Sequence, residues 1–106
     1  MAREQEPGGM ELLILHLLRY RDRYGYEIIS ELSLRSENVF QLKEGTLYPL
    51  LHRLEKNQLV ETYETKYENR VRRYYHLTKR GLQCLETKTE EWNVYAKAVN
   101  AVLCTG

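Results

Sequence analysis

The chain has 106 residues, 42% of them hydrophobic and 29% charged, and its formal net charge is +1. This length predicts one globular domain, and a chain of this size buries so little surface that a long helix would need a second subunit to cover it. The near-neutral charge excludes a polycation, and a membrane-spanning segment is excluded because no apolar run approaches the roughly 20 residues that cross a bilayer.

The N-terminal third predicts a polar arm followed by two helices. Residues 1–9 are polar and end in a Pro-Gly-Gly sequence, so we expect a flexible arm and not a secretory signal. In the segment MELLILHLLRYRDR, apolar side chains share one helical face at steps of three and four: Met10, Leu13, Ile14, Leu17 and Leu18. This pattern predicts a first helix that ends before Gly25. The segment YEIISELSL predicts a short second helix, and residues 36–38 predict the turn that follows.

The segment KEGTLYPLLHRLEKN, residues 43–57, predicts a third amphipathic helix. Four leucines form its apolar face: Leu47, Leu50, Leu51 and Leu54. Proline is tolerated only in the first turn of a helix, so Pro49 predicts a start near Thr46, with a distorted extra turn from Lys43 as the alternative. Asn57 predicts the end of the helix.

The opposite face of the third helix carries side chains that suit contacts with base edges and phosphates: Thr46, Tyr48, Pro49, Arg53 and Lys56. Taken by itself, this face is equally typical of a solvated surface helix.

Two runs rich in Val, Tyr and Thr, LVETYETK and VRRYYHLT, predict a β-hairpin whose polar tip is residues 67–70. Cations cluster near this tip: Lys66, Arg70, Arg72 and Arg73. Residues 43–80 accordingly carry a net charge of +4, whereas residues 1–42 carry −2 and residues 81–106 carry −1. An edge strand kept soluble by cations is the alternative. Helix and hairpin together favour double-stranded DNA as the partner.

A long C-terminal helix is expected to begin at a Thr78 cap. Along it, a heptad seam recurs at alternating steps of three and four: Leu82, Leu85, Thr89, Trp92, Ala96, Val99 and Leu103. The seam could pack on the first helix of the same chain or on a second copy. We expect a homodimer, because the rest of the chain is too small to cover the helix and because Tyr95 and Val102 widen the stripe. A two-fold dimer would place two reading helices about one DNA turn apart.

Trp92 is the only tryptophan and lies in the middle of this helix. It is either an anchor in a core or interface, or one wall of a ligand cavity between subunits, where an aromatic pair could sandwich a flat molecule. The candidate ligand-binding residues are Trp92, Tyr95, Ala96 and Val99.

No catalytic, metal or cofactor site is predicted. Cys84 and Cys104 lie 20 residues apart on one helix, about 30 Å, which excludes an intrachain disulfide and predicts reduced thiols in a cytoplasmic protein. The chain has no cluster with metal-ligand spacing and no glycine-rich phosphate loop. It also has no nucleophile turn and no paired carboxylates in an apolar setting, so an enzyme is not expected.

The order of these elements predicts a mainly α fold with a β-hairpin (α+β). Residues 10–78 would form a winged helix–turn–helix, whose third helix enters the major groove while the hairpin lies against neighbouring phosphates. Residues 79–106 would form the dimerisation helix. The main alternative from another class is a winged-helix module that binds a protein partner and has no sequence-specific affinity for DNA.

Three blocks resemble the PadR family of bacterial transcriptional regulators: YGYEIISEL (24–32), LKEGTLYPLLHRLEKNQLV (42–60) and RRYYHLTKRG (72–81). The resemblance covers roughly residues 10–103, and the single C-terminal helix is similar to the smaller subfamily. It implies a homodimeric winged-helix repressor that dimerises through its C-terminal helix. The operator would be palindromic and near the regulator's own gene.

The same resemblance implies roles for particular residues. Lys43, Thr46, Tyr48 and Arg53 would fall on the reading helix, and Arg70 and Arg72 on the wing. Members typically repress genes for phenolic-acid detoxification, drug efflux or cell-envelope functions, and some multidrug-responsive members place a tryptophan of the C-terminal helix beside a pore for a flat, hydrophobic ligand. Trp92 matches that position, which implies a small flat hydrophobic or phenolic inducer.

Overall fold

The computed structural model describes residues 9–104. Within these residues it contains helices and short strands in this order: α1 (Gly9–Tyr20), β1 (Arg23–Tyr24), α2 (Gly25–Arg35), α3 (Glu44–Lys56), β2 (Val60–Tyr67), β3 (Arg70–Leu77) and α4 (Lys79–Cys104). The predicted fold class is confirmed: three helices and a hairpin form a winged helix–turn–helix, and one long helix follows. The predicted N-terminal arm lies outside the described residues except for Gly9, which already begins α1.

The hairpin belongs to a three-stranded antiparallel sheet in the order β1-β3-β2. Its turn is formed by Glu68 and Asn69, with φ values of 49° and 66°, the left-handed pair that two-residue hairpins favour. Strand β1 was not predicted. It has only two residues, paired as Arg23 with Tyr75 and Tyr24 with Tyr74, which is too short for an alternating pattern to reveal.

The core is built from the apolar faces that the spacing predicts. Buried side chains come from α1, α2, α3, the sheet and the start of α4: Ile14, Leu15, Leu17, Leu18, Ile28, Leu32, Leu47, Leu50, Leu51, Leu54, Leu59, Val60, Tyr75 and Leu85. All four leucines predicted for the third helix are in this set. Because each buried leucine or isoleucine contributes about 1.5–3 kcal/mol, this cluster fixes the orientation of α3.

The third helix does not start near Thr46 but takes the predicted alternative, an extra turn from Lys43. Helix α3 begins at Glu44 after the N-cap Lys43, so Pro49 lies in its second turn. Backbone N–H groups of Thr46 and Leu47 both donate to the Lys43 carbonyl, at 3.0 and 2.9 Å. Proline removes the N–H that would bond the Gly45 carbonyl and also crowds that carbonyl. Gly45 is exposed, so water can take the missing place and the helix tolerates the proline.

The predicted end of α3 at Asn57 is confirmed. Gln58 follows in the left-handed region, with φ of 63°. Its N–H donates to the Glu55 carbonyl and the Leu59 N–H donates to the Leu54 carbonyl, both at 2.9 Å. This pair of hydrogen bonds is the Schellman arrangement, which turns the chain sharply into the buried start of β2.

The predicted Thr78 cap of α4 is also confirmed. Its hydroxyl oxygen accepts the Gly81 N–H at 2.9 Å, and the hydroxyl donates to the Gln58 carbonyl at 2.8 Å. Gly81 is buried against the Leu59 carbonyl so closely that a methyl group at this position would overlap the backbone. The cap therefore joins the end of α3, the end of the hairpin and the start of α4.

Helix α4 has a packed first half and an exposed second half. It packs against α1, and Leu85 is only 1% exposed. Leu85 is thus inside the core of its own chain, and the prediction that places it in a dimer interface is wrong. Leu82 is half-buried beside the same core. Beyond this region the helix projects, and the molecule measures 58 × 29 × 28 Å. None of the helices between Gly9 and Cys104 is long and apolar enough to cross a membrane.

Candidate nucleic-acid interface

The predicted reading residues of α3 lie on two different flanks of the helix. Thr46, Pro49 and Arg53 recur at steps of three and four and share one flank with an open groove of about 390 Å³. Lys43 is exposed at the N-cap. Tyr48 points from the opposite flank, toward α2 and the sheet. The structure therefore places Thr46, Pro49 and Arg53 on one flank of α3, leaves Lys43 exposed at its N-cap, and separates Tyr48 from them.

Tyr48 packs over the start of α2. Its hydroxyl and ring lie directly on Gly25, where an added methyl group would overlap the tyrosine hydroxyl. Burial raises the pKa of the neighbouring Tyr75 hydroxyl, and Tyr48 adds to that shift. Tyr48 remains 44% exposed. Its ring fixes how α2 meets α3, and a contact of its exposed part with DNA stays a prediction.

Arg53 is held by a carboxylate that the sequence did not identify. Its Nε donates to Glu11 Oε2 on α1 at 3.0 Å, and Lys88 Nζ on α4 lies 3.8 Å from Glu11 Oε1. Three residues far apart in sequence thus meet where α1, α3 and α4 come together. No local pattern signals this, because Glu11 reads as an ordinary acidic residue in the first turn of a helix.

The cations of the hairpin lie on two faces of the sheet. We call the face that carries buried Tyr75 the inner face, because it covers the core. Arg70 and Arg72 lie an odd number of residues from Tyr75 and are on the outer face. Lys66 pairs with Val71 and shares the inner face. The tip therefore presents Lys66 on one side and the two predicted arginines on the other.

Arg72 is braced by aromatic rings. Its guanidinium carbon lies 4.6 Å from the ring centre of Tyr24 and 5.0 Å from that of Tyr67. The Tyr24 ring meets Tyr74 edge to face at 5.4 Å, and Tyr74 stacks on Tyr63 at 5.6 Å. This row of rings ties the wing to β1. Arg72 accordingly supports the wing, whatever it also contributes to an anionic partner.

The base of the wing is anchored by Asp22. Tyr63 donates its hydroxyl to Asp22 Oδ2 at 2.6 Å, and His76 Nδ1 lies 2.8 Å from Oδ1. Burial alone would raise the pKa of the Asp22 carboxyl, but the hydrogen bonds from Tyr63 and His76 outweigh it and lower that pKa. The hydrogen bond to Asp22 is the main reason that the pKa of Tyr63 is raised to about 12. Asp22 and Tyr24 were missed in the sequence because β1, which Asp22 precedes and Tyr24 ends, has only two residues.

The predicted ligand and dimer residues of α4 lie mainly on its exposed second half. Trp92 is 46% exposed, and its ring centre is 5.5 Å from that of Tyr95. Ala96 is half-buried, and Val99 and Leu103 are exposed. The described part of the chain holds no group of His, Cys, Asp and Glu suited to a metal ion.

Comparison with known proteins identifies the family of this winged-helix chain. The sequence model of the PadR-like family of transcriptional regulators matches residues 14–87, well over half of the chain. The chain belongs to the PadR-like family. Because this family consists of transcriptional regulators, the PadR-like chain is a regulator and not an enzyme. The family resemblance is thereby confirmed.

Individual PadR-like and other regulators are similar over most of their length. Transcriptional regulator Rv3488 of Mycobacterium tuberculosis is 34% identical over 83 residues, which is 78% of this chain and 75% of that protein. A transcriptional regulator from Clostridium thermocellum matches with a TM-score of 0.82 and 36% identity, covering 89% of this chain and 92% of that one. A PadR family regulator from hypervirulent Clostridium difficile matches with a TM-score of 0.78 and 38% identity, covering 91% and 99%.

Proposed function

We propose that this PadR-like regulator is a cytoplasmic repressor that binds a palindromic operator as a homodimer. In this proposal it leaves the operator when a small, flat hydrophobic or phenolic molecule binds. The observation that carries the proposal is the exposed apolar stripe of α4 beyond the core: Trp92, Tyr95, Val99, Val102 and Leu103. A second copy related by a two-fold axis would cover this stripe, because the same patch then meets itself.

The dimer would present two reading helices to two half-sites. In each copy, Thr46 and Pro49 on one flank of α3 would face base edges, and Arg53 and Lys43 would contact phosphates. Lys66, on the inner face of the hairpin, is on the side of the sheet that packs toward α3 and would contact the adjacent phosphates. Arg70 at the tip would contribute from the outer face. Repression would follow from occlusion of the promoter.

The inducer site would form only when two copies meet. Trp92 and Tyr95 are close enough to form one aromatic wall, and Ala96 and Val99 continue it along the helix. The same residues from a second copy would supply the opposite wall, so a flat molecule could be held between aromatic rings. Ligand binding would then change the tilt of the two α4 helices and the distance between the two α3 helices, which would weaken binding to both half-sites together.

The test is a titration of the purified protein against labelled DNA from upstream of its own coding sequence and against a scrambled duplex, at several salt concentrations. The proposal expects tight, sequence-dependent binding that weakens steeply with salt, together with a dimer in sedimentation velocity. Absence of binding to any duplex at low salt would favour the protein-binding alternative. An operator complex that saturating flat aromatic ligands leave intact would remove the inducer from the proposal.

A further inference from the structure

The Glu11 carboxylate lies between a DNA-facing arginine and the projecting helix. Arg53 donates to Oε2 at 3.0 Å, and Lys88 lies 3.8 Å from Oε1, so one carboxylate receives a cation from α3 and another from α4. The Glu11 side chain is 19% exposed, whereas that of Arg53 is 53% exposed. Glu11 is therefore the more shielded partner, and Arg53 is the partner more accessible to DNA.

We infer that Glu11 is a positioning residue that restrains Arg53 from DNA and makes this restraint depend on α4. The inference rests on the proposed function and specifies how the dimer helix would reach the reading helix. In the unbound regulator, Arg53 is neutralised by Glu11. On DNA, a phosphate oxygen and the Glu11 carboxylate would compete for the Arg53 guanidinium group, because the two anions repel each other when both lie beside it.

Lys88 sets the strength of that restraint. The positive charge of Lys88 offsets part of the negative charge of Glu11 and so weakens its attraction for Arg53, since the two cations interact with different oxygens of one carboxylate. A shift of α4 that brings Lys88 nearer would release Arg53, and a shift that withdraws Lys88 would hold Arg53 more firmly. The shared carboxylate would thus have two arrangements, which the position of α4 would bias.

A purely structural role is the competing explanation. The Arg53 and Glu11 side chains are on the surface to different degrees, and pairs of this kind contribute little to folding stability. Glu11 could nevertheless serve only to join three helices. The two explanations differ in whether the effect of Glu11 on DNA binding requires Arg53, so a double-mutant cycle separates them.

The experiment uses the full chain and a labelled operator duplex selected from a random-sequence pool by the wild-type protein. Glu11→Gln, Arg53→Met and the double variant are titrated at several salt concentrations. We expect E11Q to bind about two- to five-fold more tightly, with a salt dependence steeper by about one released counterion. In the R53M background, E11Q is expected to change affinity no more than the loss of one negative charge from an exposed position does. The matched control is E86Q, which removes the same charge from an exposed position on α4 and should change affinity equally with or without Arg53.

The Lys88 arm tests the connection to α4. Lys88→Met is expected to weaken operator binding about two-fold in the wild-type background and not at all in the E11Q background. Weaker binding by E11Q, or equal effects of E11Q with and without Arg53, would overturn the inference while leaving the proposed function intact. If the wild-type protein selects no operator from the pool, the proposed function and this inference both fail. Urea unfolding of each variant identifies any change that comes from lost stability.

Discussion

The two ends of α4 should respond differently to the same substitution, Leu→Ala. Leu85 is 1% exposed inside the chain's own core, whereas Leu103 is 74% exposed on the projecting half. Removing a buried leucine side chain costs about 2–5 kcal/mol, because the cavity closes only partly. For a domain of this size that corresponds to a loss of very roughly 10–30 °C in Tm. The loss from Leu85→Ala should be present at every protein concentration.

Leu103→Ala should instead act on association. In a single chain an exposed substitution changes the free energy of unfolding by about 0.5 kcal/mol or less. In a two-fold dimer the change occurs twice, so a loss of about 1 kcal/mol per copy weakens the dimer roughly thirty-fold. Sedimentation velocity measures the dissociation constant, and thermal unfolding at several protein concentrations measures its effect on Tm. A dissociation constant unchanged by Leu103→Ala, or a concentration-independent loss as large as that of Leu85→Ala, would refute the reasoning.

Four other substitutions test the wing, the start of α4 and the start of α3. Asp22→Asn should return the pKa of Tyr63 from about 12 toward its ordinary value of 10, measured by NMR of the labelled tyrosine ring. In the wild type, the raised pKa of Tyr63 contributes stability that is lost as pH rises from 10 to 12. The lowered pKa of Asp22 contributes stability that is lost as pH falls below 3.8. If Asp22 anchors the wing, Asp22→Asn should show neither loss. Arg72→Lys keeps the charge but loses the planar contact with two rings, so the free energy of unfolding should fall by about 0.5–1 kcal/mol in urea titrations. An unchanged free energy of unfolding would mean that the stack does not brace the wing. Gly81→Ala should destabilise the chain by about 1–3 kcal/mol, because the added methyl group overlaps the Leu59 carbonyl. Gly45→Ala places its methyl group in open space and should stabilise the chain by about 0.5–1 kcal/mol. Equal shifts of Tm in the two variants would contradict this contrast.

The sequence predicted helix faces and helix caps correctly where a local pattern of side chains has a single structural explanation. Leucine spacing predicts the buried face of α3 because a helix brings every third and fourth residue to the same side, and the same rule places the core residues of α1. Thr78 and Asn57 were identifiable because capping depends on neighbours within the same turn. Long-range partners carry no such pattern. Glu11 is 42 residues from Arg53, and only the packing of three helices brings them together.

The position of Pro49 shows why a local rule can fail when its context changes. The rule excludes proline beyond the first turn because a carbonyl loses its donor. Gly45 is exposed, so water can reach its carbonyl and the helix extends further toward its N-terminus. Leu85 shows a similar limit. A heptad seam identifies residues that will be covered, but it does not say whether the same chain or a second copy covers them.

Residues 22–25 set the geometry between α3 and the hairpin. Asp22 holds the base of the hairpin through Tyr63 and His76, and Arg23 donates to the Leu17 carbonyl at the end of α1. The next two positions serve the other elements: Tyr24 braces the wing arginine, and Gly25 receives the tyrosine of α3. Four consecutive residues therefore contact four different parts of the fold. If α3 and the hairpin must meet one DNA duplex together, a substitution here should weaken binding by misorienting them. Because no phosphate contact is removed from either surface, the salt dependence should stay unchanged, which distinguishes these orienting residues from Lys43 or Lys66.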